Sequence, residues 1–303
     1  MTELITEIEP LEAPETDPTE DGADEKEPIN WFAEIRGLAL MLLAVLGFHS
    51  FIAKPFYIPS TSMVPNLLVG DRLIVSKYPY GWSWVSASFH VLPRGTTRIW
   101  PDTPEYGDVV IAVPPGRDED YIKRVVGLPG DTIEVRNGQI ILNGQPVRQE
   151  VEPAIRIEVD DEQLCDQVTC LGYFDMYRKN LDDGREVYEL PVLRETLPNG
   201  ASYLVIDHRQ QRLDNYPATQ IPAGHVFMMG DNRDHSADSR EEDFNQGLGG
   251  PVPLENVGGR AEFITFSLDG TASWNPLSWV GALRGDRAWT TLRPSIKQQA
   301  DSE

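Results

Sequence analysis

The chain has 303 residues, two cysteines and a formal net charge of −22, with 26 Lys and Arg against 48 Asp and Glu. That length gives room for about two domains and a sizeable core. The acidity excludes a phosphate-backbone binder, so no nucleic-acid partner is expected, and so few cysteines exclude a disulfide-dense scaffold or an all-cysteine zinc site.

Residues 1–30 hold eleven acids, one base (Lys26), four prolines and no aromatic residue. Such a segment cannot bury enough apolar surface to offset its ordering entropy, and it reads as a disordered acidic tail. Residues 37–53 contain no Asp, Glu, Lys or Arg, with Trp31 and Phe32 before the run and Lys54, Phe56 and Tyr57 after it. The run is apolar all round rather than on one stripe, so residues 31–54 read as a transmembrane anchor. A cleavable leader fits less well, because the preceding region is acidic and no A-x-A site follows. Arg36 and Lys54 flank the run one apiece and hardly decide its orientation.

From Pro55 onward, short β-rich runs alternate with turn signals. Strands are predicted at 72–76, 108–113, 121–126, 131–135, 139–142, 156–159, 187–190, 202–207, 225–229 and 260–266. Asn137-Gly138 between β-branched runs is a hairpin signal. The expected fold class is mostly β: an antiparallel catalytic core (55–144 and 216–303) interrupted by a smaller, polar β/loop subdomain (145–215). That insertion carries both cysteines, Cys165 and Cys170, which could close a small disulfide loop in an oxidising compartment.

Many common sites are absent: there is no GxSxG, HExxH, Walker A or GxGxxG motif, and the five histidines show no metal spacing. No metal or cofactor is expected. The stretch PSTSMVPNLLVGD (59–71) holds two serines between Pro59 and Pro65, whose rings stiffen it as a presented nucleophile requires. A serine needs a base, and a lysine serves if burial lowers its pKa. Among six lysines, Lys123 in YIKRVVG shares a strand face with Tyr121 and Val125, while Arg124 points the other way. Lys77 is the rival, although its place beside Tyr78-Pro79 suggests a solvated side chain. A third stretch, GDNRDHSADSR (230–240), reads as a hydrogen-bonded platform able to orient a base.

These segments, with YGDVV (106–110) and YIKRVVGLPGD (121–131), follow an anchor in an order that resembles the type I signal peptidases. Those are membrane-bound serine proteases that remove signal peptides from exported proteins, and the resemblance covers roughly residues 31–270. It implies Ser62 as nucleophile and Lys123 as neutral general base. It implies Ser60 as an oxyanion donor together with the Ser62 N–H, and Ser236 as the serine that orients the lysine. Asp231, Arg233, Asp238 and Arg240 match supporting polar residues. Ile58, Met63, Leu67 and Ile122 match the lining of shallow pockets for small side chains, as in A-x-A. Exported preproteins, phospholipid and the export translocon are the implied partners. The implied location is a bacterial inner membrane, with the catalytic domain on the extracytoplasmic side.

The chain departs from the pattern at His235, where the family commonly has Asn, and in the acidic, Gly-rich segment 241–250. The Cys165/Cys170 pair resembles a disulfide loop of some members with different spacing. Trp82, Trp84, Phe89, Trp274, Trp279 and Trp289 lie outside the motifs; a membrane-facing rim and ordinary core packing are both open for them.

Overall fold

A computed structural model describes residues 30–90, 92–160 and 174–296. The acidic tail up to residue 29 and both cysteines lie outside the described residues.

Helix α1 (Trp31–Phe51) spans 21 residues, none of them buried. At about 1.5 Å per residue it is roughly 31 Å long, enough to cross a hydrocarbon layer of about 30 Å, and it is the one helix among the described residues long and apolar enough to do so. The helix stops short of the expected Lys54 boundary: Ala53 and Lys54 already pair with Ser76 and Val75.

The described residues from Leu42 onward form one compact unit, built on antiparallel sheets. The largest sheet runs in spatial order β1 (Ala53–Tyr57), β2 (Asp71–Ser76), β15 (Val257–Ser267), β3 (Val109–Ala112), β4 (Tyr121–Gly127), β13 (His225–Met229) and β14 (Val252–Pro253). A second sheet orders β16 (Ser295–Ile296), β11 (Ala201–Val205), β10 (Glu186–Thr196) and β8 (Arg148–Glu158), with β9 (Arg178–Asn180) also on β10. A third orders β12 (Tyr216–Gln220), β5 (Thr132–Arg136), β6 (Gln139–Leu142) and β7 (Gln145–Pro146).

Every predicted strand falls on an observed one. The predicted runs 156–159 and 187–190, however, are parts of two eleven-residue strands, β8 and β10. Along β8 most residues are exposed or half-buried, so the apolar alternation that marks a half-buried strand is missing there. The ribbon is stitched instead by ion pairs such as Arg156–Glu189 at 3.0 Å and Arg194–Glu152.

Two features of this topology position the site. β4 lies between β3 and β13, with Arg124 opposite both Val109 and Met229, so the 230–240 loop leaves β13 beside Lys123. The link from β1 to β2 carries Ser60 and Ser62 and is anchored by Ile58, Met63 and Leu67, which pack with Leu73, Val109 and Ile122.

Candidate active site

Ser62 and Lys123, far apart in the chain, meet in the structure. Lys123 Nζ donates to Ser62 Oγ at 2.8 Å and to its neighbour's carbonyl, Ile122 O, at 3.0 Å. Both residues are buried. Burial disfavours the ammonium and lowers Lys123 from 10.5 to about 8; Asp238 and Asp231 pull it back up, and Arg240 opposes them. Ser60 Oγ lies 3.3 Å from Ser62 Oγ. The Ser62 backbone N–H makes no hydrogen bond among the described residues, whereas its carbonyl accepts from Asn232 N–H at 3.1 Å.

The 230–240 loop is the expected platform, built from three buried guanidinium–carboxylate pairs. Asp238 accepts from Arg240 Nε and Nη2 at 3.0 and 2.9 Å and from the Gly230 N–H at 3.0 Å. Burial alone would raise Asp238; the Arg240 pair and the backbone donors hold it below the ordinary carboxylate range. Asp231 receives Arg124 Nε and Nη2 at 2.7 Å each, and Asn66 at 2.7 Å. Arg233 forks onto Glu195 at 3.0 and 2.6 Å, and Tyr203 OH also donates to Glu195 at 2.5 Å. Bidentate geometry and full satisfaction let such charges remain buried.

Glu195, Tyr203 and Arg124 had not been singled out in the sequence. Arg124 does point away from Lys123's face, yet it is buried, its guanidinium 4.1 Å from the Tyr203 ring centroid. Two adjacent cations in an otherwise apolar strand were the available signal, since both faces of β4 are covered. Glu195 and Tyr203 lie in the polar segment 145–215, where nothing local distinguishes them from surface residues.

Other expectations come out differently. Lys77 is not solvated: it is 3% exposed, and burial, with Lys54 adding to it, lowers its pKa to about 8. Its ammonium sits 5.9 Å from the Phe56 ring centroid and makes no hydrogen bond to either serine. Burial therefore does not separate the two lysines; contact with Ser62 does. Ser236 Oγ is buried without a hydrogen-bond partner, so the expected bond to Lys123 is not made. His235 Nδ1 pairs with Thr61 Oγ1 at 2.5 Å rather than with Ser62, which removes a Ser-His arrangement. Trp84 is core, packed with Val85 and Val113.

An open cleft of about 600 Å³ exposes this constellation. Ser60, Ser62, Lys123 and Ser236 line it, with Ile58 and Ile122 as its apolar wall. Met63 and Leu67 do not line it; fully buried, they back that wall from behind.

A serine hydroxyl held by a buried, pKa-lowered lysine in an open cleft, on a β body that follows an apolar helix in the sequence, has the parts of a serine peptidase. The family model described as signal peptidase, peptidase S26, matches residues 30–266. A signal peptidase I of Rickettsia typhi is 31% identical over 267 residues, 84% of this chain and 88% of its own. One from Pseudomonas aeruginosa is 34% identical over 232 residues, 75% of this chain and 69% of its own. A solved signal peptidase I from Enterococcus faecalis aligns at 21% identity and a TM-score of 0.26, covering 52% of this chain and 97% of that one. The chain belongs to the signal peptidase family, peptidase S26. It is a serine endopeptidase, a hydrolase that removes signal peptides.

Proposed function

We propose that Ser62 is the nucleophile and Lys123 the general base with which this endopeptidase cleaves exported preproteins after small side chains. The 2.8 Å contact between Lys123 Nζ and Ser62 Oγ carries the reading. Neutral Lys123 takes the Ser62 proton as Oγ attacks the scissile carbonyl, forming a tetrahedral intermediate. Ser60 Oγ–H and the Ser62 N–H are the two donors available to the developing oxyanion, each worth about 3 kcal/mol of barrier. Lys123 returns its proton to the leaving amine, the acyl-enzyme remains on Ser62, and the freed lysine activates the water that releases it. The wall of Ile58 and Ile122 suits small apolar side chains, as in A-x-A. Ser236 acts as a lysine-orienting residue only once its hydroxyl turns toward Nζ, a rearrangement that binding of substrate would have to bring about.

In the same reading α1 anchors the chain in a bacterial inner membrane, and the body from residue 55 works on the extracytoplasmic side next to the export translocon, with 145–215 as an insertion in the catalytic core. Phospholipid contacts the exposed aromatic residues Phe89, Trp100, Trp274, Trp279 and Trp289, which are 56% exposed or more. Trp84 has no part in such a rim.

The test is cleavage of a preprotein carrying an A-x-A site by the detergent-solubilised protein. The native chain cuts it to the mature length, and Ser62→Ala and Lys123→Ala do not. Undiminished cleavage by either variant would remove that residue from the dyad.

A further inference from the structure

Away from the Ser62–Lys123 pair, three aspartates from separate segments converge. Asp207 follows β11, Asp214 ends the 3-10 turn Arg212–Asp214, and Asp234 sits in the 3-10 turn Arg233–His235. One carboxylate oxygen of each lies within 4.8 Å of the other two. Asp234 is the best satisfied: its Oδ2 accepts from the His208 and Arg209 N–H groups at 3.1 and 3.2 Å. Asp214 uses only Oδ2, which accepts from the Gln211 N–H at 2.8 Å. Its Oδ1 is buried with no donor, in a residue only 6% exposed. The Asp207 carboxylate makes no hydrogen bond and no ion pair among the described residues, and it packs so closely on Gly138 that a Cβ there would collide with it.

Two nearby arginines are committed elsewhere. Arg233 is committed to Glu195 and Arg240 to Asp238. His208 Nδ1 stands 3.4 Å from Asp234 Oδ2, and neither of its ring nitrogens makes a hydrogen bond. Three carboxylates so close, one with a fully buried orphan oxygen, form an anionic set that a bound cation would satisfy.

We propose that Asp207, Asp214 and Asp234 bind a structural calcium ion that ties the 207–214 loop to the 230–240 loop. An ion held at about 2.4 Å from each oxygen fits within that 4.8 Å limit, and calcium tolerates irregular mixtures of carboxylate, carbonyl and water. Magnesium demands a near-ideal octahedron at about 2.1 Å and dehydrates reluctantly, which suits a partly buried set of carboxylates from separate segments less well. The ion takes no part in peptide cleavage. Leu213 and Asp234 both line the substrate cleft, so the ion fixes one of its walls.

The test is calorimetric titration of the chelator-stripped full chain in detergent with calcium chloride and, separately, magnesium chloride, with thermal transitions recorded alongside. Calcium binds at a single saturable site, more tightly than magnesium, and raises the thermal transition. Asp207→Asn and Asp214→Asn weaken that binding by about an order of magnitude or more and abolish the thermal shift. Asp207 is half-buried and without donors, so its Asn variant serves if Asp214→Asn does not fold. The proposal is overturned by the absence of saturable binding up to about 10 mM calcium, above the ~1 mM upper range of extracellular calcium modules. Unchanged binding in Asp207→Asn, or preference for magnesium, overturns it as well.

Discussion

Arg124 and Asp231 lie flat against each other, Nε to Oδ1 and Nη2 to Oδ2 both at 2.7 Å, with neither side chain more than 3% exposed. The pair fastens the residue after Lys123 to the residue after Gly230. It therefore sets the distance between the lysine's strand and the loop that carries Ser236. Asp231→Ala leaves a buried guanidinium without its partner and lowers stability by about 3–5 kcal/mol. Denaturant unfolding of Asp231→Ala and of Arg124→Met measures the cost. A double replacement that loses much less than the sum of the two would show that the penalty is the stranded charge.

Lys123→Arg is expected to fold and to be inactive, because guanidinium stays protonated at any working pH. In the native protein kcat/KM should climb as pH rises through about 8, where Lys123 becomes neutral. A profile flat from neutral pH through 9 would contradict lysine as the base.

Lys77 offers a control with similar burial and no serine. Its folded pKa of about 8 lies below the ordinary 10.5. The unfolded chain therefore binds more protons between those values, and the lysine's destabilisation, full below pH 8, fades as pH rises toward 10.5. The difference corresponds to about 3 kcal/mol at neutral pH. Lys77→Met should raise the thermal transition at neutral pH while cleavage persists, whereas Lys123→Met abolishes cleavage.

In the proposed mechanism Ser60→Ala removes one oxyanion donor and leaves the Ser62 N–H. A fall of about 10²–10³ in kcat with little change in KM is expected, since the interaction strengthens only in the transition state. A change confined to KM would instead place Ser60 in ground-state binding.

Gly230 has no room for a side chain. A Cβ there would stand 2.5 Å from both the Ser236 Cβ and the Ser62 carbonyl oxygen. Gly230→Ala must push the turn that carries Ser62 and the 230–240 loop apart, at about 1–3 kcal/mol in stability and, in the proposed mechanism, with a larger proportional loss of kcat. His235→Asn, by contrast, touches neither Ser62 nor Lys123 and should leave activity nearly intact.

How far the sequence reaches can be judged residue by residue. Alternation and turn chemistry located five of the seven strands of the large sheet, all but β1 and β14, because each of its faces buries apolar side chains and the pattern is written into neighbouring residues. The same reasoning placed Lys123 on an apolar face, and the four ordered motifs led to Ser62. It failed along β8, where cross-strand ion pairs replace the apolar period, and at Lys77, whose burial depends on Phe56 and on segments distant in the chain.

The linear order of residues was thus enough to predict the long apolar helix, the β class and the residue types that meet around Ser62, since these follow from local composition and period. Tertiary structure alone decided which lysine meets a serine. It also put Arg124, Glu195 and Tyr203 into the site's support, backed the cleft with Met63 and Leu67 instead of lining it, and gathered Asp207, Asp214 and Asp234. Each of those outcomes depends on strand register and long-range packing, and a side chain's partner across a sheet leaves no trace in its own neighbours along the chain.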